Sequence, residues 1–205
     1  MGKREISPKV AALYKAVTEL FMEGADINNL TVSEITARAG IGKGTAYEYF
    51  SSKEDILAQA FYFAMVTVTE LLDKRLAQKQ HLYDKIEMIM LDMEKHKKEI
   101  VCAFKVLYMM MDNSVVGKKI RQLFHENKEY DMMLFDLIEK MIREELGQKV
   151  QLSDEDSLYL VMSIASRLMT YALYLNGDEA CMLCGNKVMR ERLCKDICRE
   201  VENYG

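Results

Sequence analysis

Lys43, Thr45, Tyr47 and Tyr49 stand within two helical turns of one another. They offer an ammonium and three hydroxyls, all donors suited to phosphate oxygens or base edges. They lie in KGTAYEYF (residues 43–50), directly after a glycine-centred turn at Gly40-Ile41-Gly42. A donor-loaded short helix behind a tight turn is the form a DNA-reading element takes. Gly44 adds to this: glycine costs roughly 1 kcal/mol in a helix interior, so its presence suggests close approach of the backbone to something. Glu48 either accepts from a cytosine amino group or faces solvent. The fragment Gly42-Lys43-Gly44-Thr45 is not a nucleotide-binding loop. That motif needs glycine at position 37, which is Ala37, and Ser or Thr at 44, which is Gly44.

The flanking residues say how the element is held. Thr31 and Glu34 form a capping box that starts one helix. Val32, Ile35 and Ala39 give it an inner face, and Gly40 ends it in a left-handed conformation. Ile41 is expected to be the buried hinge, with Gly42 the next N-cap. Ala46 and Phe50 are four apart and should pack inward. Ser51-Ser52-Lys53-Glu54-Asp55 then carries two overlapping capping boxes, Ser51 with Glu54 and Ser52 with Asp55, which place Lys53 in a first turn that favours an anion.

Residues 30–57 resemble the DNA-binding signature of the TetR family of bacterial transcriptional regulators, and with the first helix the resemblance covers about residues 8–60. It implies that Ala39 to Phe50 contain the turn and recognition helix. Lys43, Gly44 and Thr45 would lie at the major groove, with Tyr47 and Tyr49 on the phosphate backbone. Lys53 would bind phosphate from the fourth helix, and Ser33 would add a base or phosphate contact. Ala46 departs from the larger aliphatic residue common at that position.

Composition bounds the rest. The chain has 205 residues, half of them hydrophobic, with one proline, no tryptophan and ten glycines. That is an all-helical profile. The net charge is −4, which argues against general polyanion binding, and residues 1–60 hold seven Lys or Arg against eight Asp or Glu. DNA affinity must then come from a few placed contacts rather than long-range steering. The N-terminus does not resemble a signal peptide, and no apolar run is expected to approach the roughly 18 residues that span a bilayer. The expected location is cytoplasmic, with no membrane partner.

The first helix starts at Ser7-Pro8 and ends at Gly24, and a long fourth helix runs from about Ser52 to Gln80. Further helices are expected at 82–97, 99–111, 115–146 and 154–175, followed by one or two segments in 179–203. The fold class is all-α: an N-terminal three-helix helix-turn-helix unit (1–52) is joined through a long helix to a larger helical effector-binding and dimerisation domain (53–205).

The helix at 154–175 is mostly apolar after Leu158, and Ser163, Ala165 and Ser166 permit close approach of another helix. It suits either burial within a monomer or the family's dimer interface, which the last two long helices form. Sixteen methionines are many for this length. They fill irregular cores or line adaptable pockets. Phe104, Tyr108, Met111, Phe135, Met162, Arg167 and Tyr171 are the candidate effector-binding residues, for a largely apolar small molecule. Arg167 is the one charge between Leu158 and Leu175 and needs an acid, across a dimer interface or on the ligand.

Cys181, Cys184, Cys194 and Cys198 follow a C-x2-C…C-x3-C pattern. Zinc binding, redox sensing and plain buried thiols are the three readings. No catalytic set and no cofactor motif is found, so a helical enzyme is disfavoured. The leading expectation is a homodimeric, ligand-responsive repressor that binds a near-palindromic double-stranded DNA operator. The rival is a helical metal or thiol sensor using the C-terminal cysteines.

Overall fold

The computed structural model describes residues 6–127, 133–147, 150–177 and 185–204. Among them the chain forms ten helices and no strand. In order these are α1 (Pro8–Met22), α2 (Val32–Ala39), α3 (Lys43–Tyr49), α4 (Lys53–Leu76), α5 (Leu82–Lys95), α6 (Lys97–Met111), α7 (Val115–Asn127), α8 (Leu134–Leu146), α9 (Asp154–Leu175) and α10 (Asn186–Glu202). The all-α expectation holds.

Local signals set most helix starts. The Ser7 hydroxyl accepts from the Val10 amide at 3.3 Å, with Pro8 in the first turn. The Ser153 hydroxyl accepts from the Asp156 amide at 3.1 Å, and three acids fill the first turn of α9. The single helix expected over 115–146 is instead two, α7 and α8. The Met133 amide donates to the Asp136 carboxylate at 2.8 Å, so Asp136 opens a new helix without a Ser or Thr cap to announce it.

By packing, the chain forms two compact units: residues 1–68 with 102–131, and residues 69–101 with 132–205. In the first unit α1, α2, α3 and most of α4 close around Leu13, Val17, Ile35, Ala46, Phe50, Ile56 and Phe61, all buried. Phe21 meets Phe61 edge-on at 4.9 Å, and the Tyr14 hydroxyl donates to Gln59 at 3.0 Å. The α6–α7 corner belongs to this unit. There the helices turn by 91°, and Gly117 packs against α6 so tightly that a Cβ would sit 1.9 Å from the Met109 carbonyl oxygen. The Arg121 guanidinium donates to the Met110 and Asp112 carbonyls at the end of α6. Ile120 is fully buried, and Phe124 meets Tyr62 of α4 edge-on at 4.8 Å.

The second unit is built by α5, α8, α9 and α10 around Ile86, Met90, Leu137, Met141, Ile164 and Ile197. Polar ties are set into this apolar core. The Tyr171 hydroxyl donates to Glu94 at 2.6 Å, and Arg190 pairs with the same carboxylate. Burial, with Glu94 beside it, pushes the Tyr171 phenol well above its ordinary range. Lys85 is buried and paired with Glu144 at 2.5 Å.

α9 and α4 correct the expectation about apolar length. By length and mean hydropathy alone (1.4 and 1.3), both could cross a membrane. α9 reaches this value because it is apolar on two faces. One face fills the core; the other leaves Leu158, Met162, Met169 and Leu173 exposed, with Ser166 between them. Ser163 does not lie on that open face but donates to Glu200 of α10 at 2.9 Å.

Cys194 is fully buried against Met90, and Cys198 is half-buried beside the same core. Burial, reinforced by Glu87, pushes the Cys194 thiol up to about 12; burial, with Glu145 nearby, pushes Cys198 up to about 11. Neither forms a thiolate near neutral pH.

Two measurements check this packing. Gly117→Ala should lower the urea midpoint by the equivalent of about 1–3 kcal/mol, the usual cost of forcing a carbon into a filled contact; an unchanged midpoint would contradict the tight corner. At pH 8, Cys194 and Cys198 should react with a thiol reagent roughly a hundredfold slower in folded than in urea-unfolded protein. Rapid labelling of either in the folded state would disprove the protonated, inert assignment.

Candidate nucleic-acid interface

α2 and α3 are placed by chemistry that lies within a few residues of each. The Thr31 hydroxyl accepts from the Glu34 amide at 3.2 Å, and the Glu34 carboxylate accepts from the Thr31 amide at 2.8 Å. The Thr31 hydroxyl, which also donates to the Glu34 carboxylate at 2.6 Å, and after it the Thr31 amide hold the Glu34 carboxyl below the usual range. Gly40 takes φ +68°, which only glycine adopts without strain, and the Ile41 amide reaches back to the Thr36 carbonyl at 3.0 Å. Ile41 itself is half-buried rather than fully enclosed. Gly42 precedes α3 with no side-chain cap.

α3 is seven residues long. Ala46 is fully buried, and Phe50 is buried 6.1 Å from the Tyr14 ring. This anchoring turns the other side of α3 outward. Lys43, Gly44 and Glu48 are exposed, Thr45 is half-buried, and Tyr47 and Tyr49 are 50% and 44% exposed. Ser33 is exposed in the first turn of α2. Apart from the adjoining backbone of α3 itself, nothing among the described residues stands within 4 Å of where a Cβ on Gly44 would be, so packing against other elements does not require that glycine.

The charges nearby are largely committed. Arg38 of α2 grips Glu23 with two bonds of 2.8 and 2.7 Å and stands 3.7 Å from Glu19. Two of the eight acids in residues 1–60, Glu19 and Glu23, are thus matched by one arginine, which the sequence did not reveal. The Lys53 ammonium donates to the Asn28 carbonyl at 2.9 Å, tying α4 to the loop before α2. Lys43 has no ion-pair partner among the described residues.

Asp55 was read only as a capping residue, and the structure gives it more to do. Its amide donates to the Ser52 hydroxyl at 3.1 Å, while its carboxylate accepts from the Ser51 amide at 3.2 Å and from the Ser51 hydroxyl. The expected Ser51–Glu54 box is replaced by this Ser51–Asp55 pairing. The second carboxylate oxygen takes the ammonium of Lys119, on α7, at 2.5 Å. No local sequence signal joins positions 64 residues apart.

The candidate effector residues are divided between the two units. Phe104 is half-buried on α6, where Tyr108 and Met111 are 71% and 86% exposed. Phe135 is exposed on α8, and Met162 lies on the open face of α9. Tyr171 is buried against Glu94. Arg167 finds its acid within the same chain, pairing with Glu200 of α10, and not across an interface. In the second unit a cleft of about 660 Å³ is lined mainly by charged residues, Asp136, Glu139, Lys140, Arg143 and Glu144, with Gly147.

Cys181 and Cys184 lie outside the described residues. Among the described residues no group of three or more His, Cys, Asp or Glu that could hold a metal ion is found. With Cys194 and Cys198 protonated in the core, the metal or redox sensor reading has no support.

Residues 13–60 match the model of the bacterial regulatory proteins of the tetR family. Over 82 residues the chain is 30% identical to the fatty acid metabolism regulator protein of Bacillus subtilis, a match spanning 40% of this chain and 42% of that protein. The whole fold is similar to crystal structures of two regulators named FadR. That of Bacillus subtilis, in complex with stearoyl-CoA, is 17% identical with TM-score 0.63, covering 93% of this chain and 98% of that one. That of Thermus thermophilus, a TetR-family repressor in complex with lauroyl-CoA, is 17% identical with TM-score 0.55, covering 94% and 93%. The capped α2 and the left-handed turn at Gly40 both lie inside the segment, residues 13–60, that matches the tetR-family model.

Proposed function

We propose that the protein is a homodimeric, ligand-responsive transcriptional repressor, with residues 1–52 reading DNA and residues 53–205 binding effector and dimerising. The observation that carries this is α3 itself, anchored by Ala46 and Phe50 so that Lys43, Tyr47 and Tyr49 face outward, within the segment that matches the family. Lys43, Gly44 and Thr45 meet the major groove; Gly44, with open space around it, lets backbone approach the duplex. Tyr47, Tyr49 and Ser33 bind phosphates or base edges, and Lys53 joins them from the start of α4. Two copies read half-sites about 34–36 Å apart on a near-palindromic operator.

The second copy covers the open face of α9. Leu158, Met162, Met169 and Leu173 recur at helical spacing on one side, with the small Ser166 allowing close approach. The effector is a fatty acyl group on coenzyme A, a long apolar tail with an anionic head. This is supported by the FadR regulators crystallised with stearoyl-CoA and lauroyl-CoA, and by the methionine-rich helices of this chain. Phe104, Tyr108 and Met111 of α6 meet the acyl chain, whereas Arg167 and Tyr171 already have acids as partners. Effector lowers DNA affinity only by binding one arrangement of the dimer better than the other.

Two experiments test this reading. In a mobility-shift assay with the upstream region of its own gene, wild type should give a specific complex that palmitoyl-CoA, but not coenzyme A alone, dissociates. Tyr47→Ala and Lys43→Ala should each weaken it at least about tenfold, and Lys43→Ala should reduce the salt slope by about 1. No specific complex, or variants that bind like wild type, would refute the DNA reading. In sedimentation, Met162→Glu with Leu173→Glu should convert a dimer into a monomer; a persistent dimer would rule out the α9 interface.

A further inference from the structure

The junction between α3 and α4 is held from a distant part of the chain. Phe50 ends α3 in extended conformation, and only Ser51 and Ser52 separate it from α4. Ser51 is fixed by the Asp55 carboxylate, which takes both its amide and its hydroxyl. Asp55 is in turn held by Lys119, and the pair is partly withdrawn from water, with side-chain exposures of 19% and 35%. Such a pair is worth more than a fully exposed one. Lys119 cannot easily drift. Its neighbour Ile120 is buried, Phe124 one turn on stacks edge-on against Tyr62, and Gly117 two residues before it is seated on α6.

We propose that Lys119 is a positioning residue for DNA reading: through Asp55 and Ser51 it fixes the direction in which α3 leaves α4, while itself touching no DNA. The proposal rests on α3 being the recognition helix. Without the ammonium, the Asp55 carboxylate keeps its two Ser51 donors but is no longer tethered to α7, and the two-residue junction becomes free to swing. The α6–α7 corner thus acts as a brace of the reading unit, and the DNA-reading function depends on residues well beyond position 52.

The test uses Lys119→Met, which keeps an apolar stem of similar length, and Lys119→Arg, which restores the charge. Two measurements are made on the full chain. In amide exchange without DNA, Lys119→Met should raise the exchange rate of residues 43–55 at least about fivefold while α5, α8, α9 and α10 exchange as in wild type; Lys119→Arg should restore protection. On the upstream DNA of its own gene, Lys119→Met should bind at least about tenfold more weakly, with the salt slope unchanged because no phosphate contact is lost.

A slope reduced by about 1 would put Lys119 on the DNA and overturn the proposal. So would unchanged exchange over 43–55, a loss of protection spread over both units, or wild-type affinity in Lys119→Met. If wild type itself binds no specific DNA, the recognition-helix reading falls and this proposal with it. If wild type binds and the variant matches it, only the present proposal falls.

Discussion

A seven-residue helix with glycine at its second position and glycine at its N-cap has almost no stability of its own. α3 exists because Ala46 and Phe50 are buried against the helices around it, and everything its outer face can do depends on that anchoring. The constraint explains the rest of the unit. Thr31 and Glu34 fix the start of α2, and Gly40 turns the chain without strain. Ser51, Asp55 and Lys119 fix the exit. A helix too short to hold its own shape is thus clamped at both ends.

The same economy governs charge. A chain with net charge −4 gains little from long-range attraction to DNA. Part of the positive charge of the first unit is also engaged internally: Arg38 with Glu23 and Glu19, and Lys119 with Asp55. These cations give rigidity where a polyanion binder would leave them in solvent. Affinity then rests on a small number of donors held at fixed positions, and the precision of α3 matters more than the total charge.

What the sequence made legible were features whose cause lies within about four residues. The Thr31–Glu34 box, the left-handed Gly40, the Ser153 cap and the inward pair Ala46 and Phe50 all have local signatures, and all are present in the structure. Features set by distant partners were not legible. The single helix expected over 115–146 breaks because Asp136 caps the Met133 amide, and methionine is not a residue that announces a helix start. Arg167 was known to need an acid, but only packing of α10 on α9 identifies it as Glu200. Apolar character says nothing of whether a methionine or an aromatic faces core, cleft or solvent, and the exposures of Phe104, Tyr108, Met111, Phe135 and Met162 differ accordingly. Lys119 gave no signal at all, because its partner is 64 residues away.

The absence of a side chain at Gly117 has an evolutionary consequence. Position 117 admits no larger residue without displacing the Met109 carbonyl, so every substitution there must shift the α6–α7 corner. A shift there would act on the ammonium two residues later, and through its tie to Asp55 on the junction after α3. Under the proposed role of Lys119, operator choice would place purifying selection on a glycine that never meets DNA. The genetic footprint of DNA recognition in this chain would then extend beyond the residues that touch the bases.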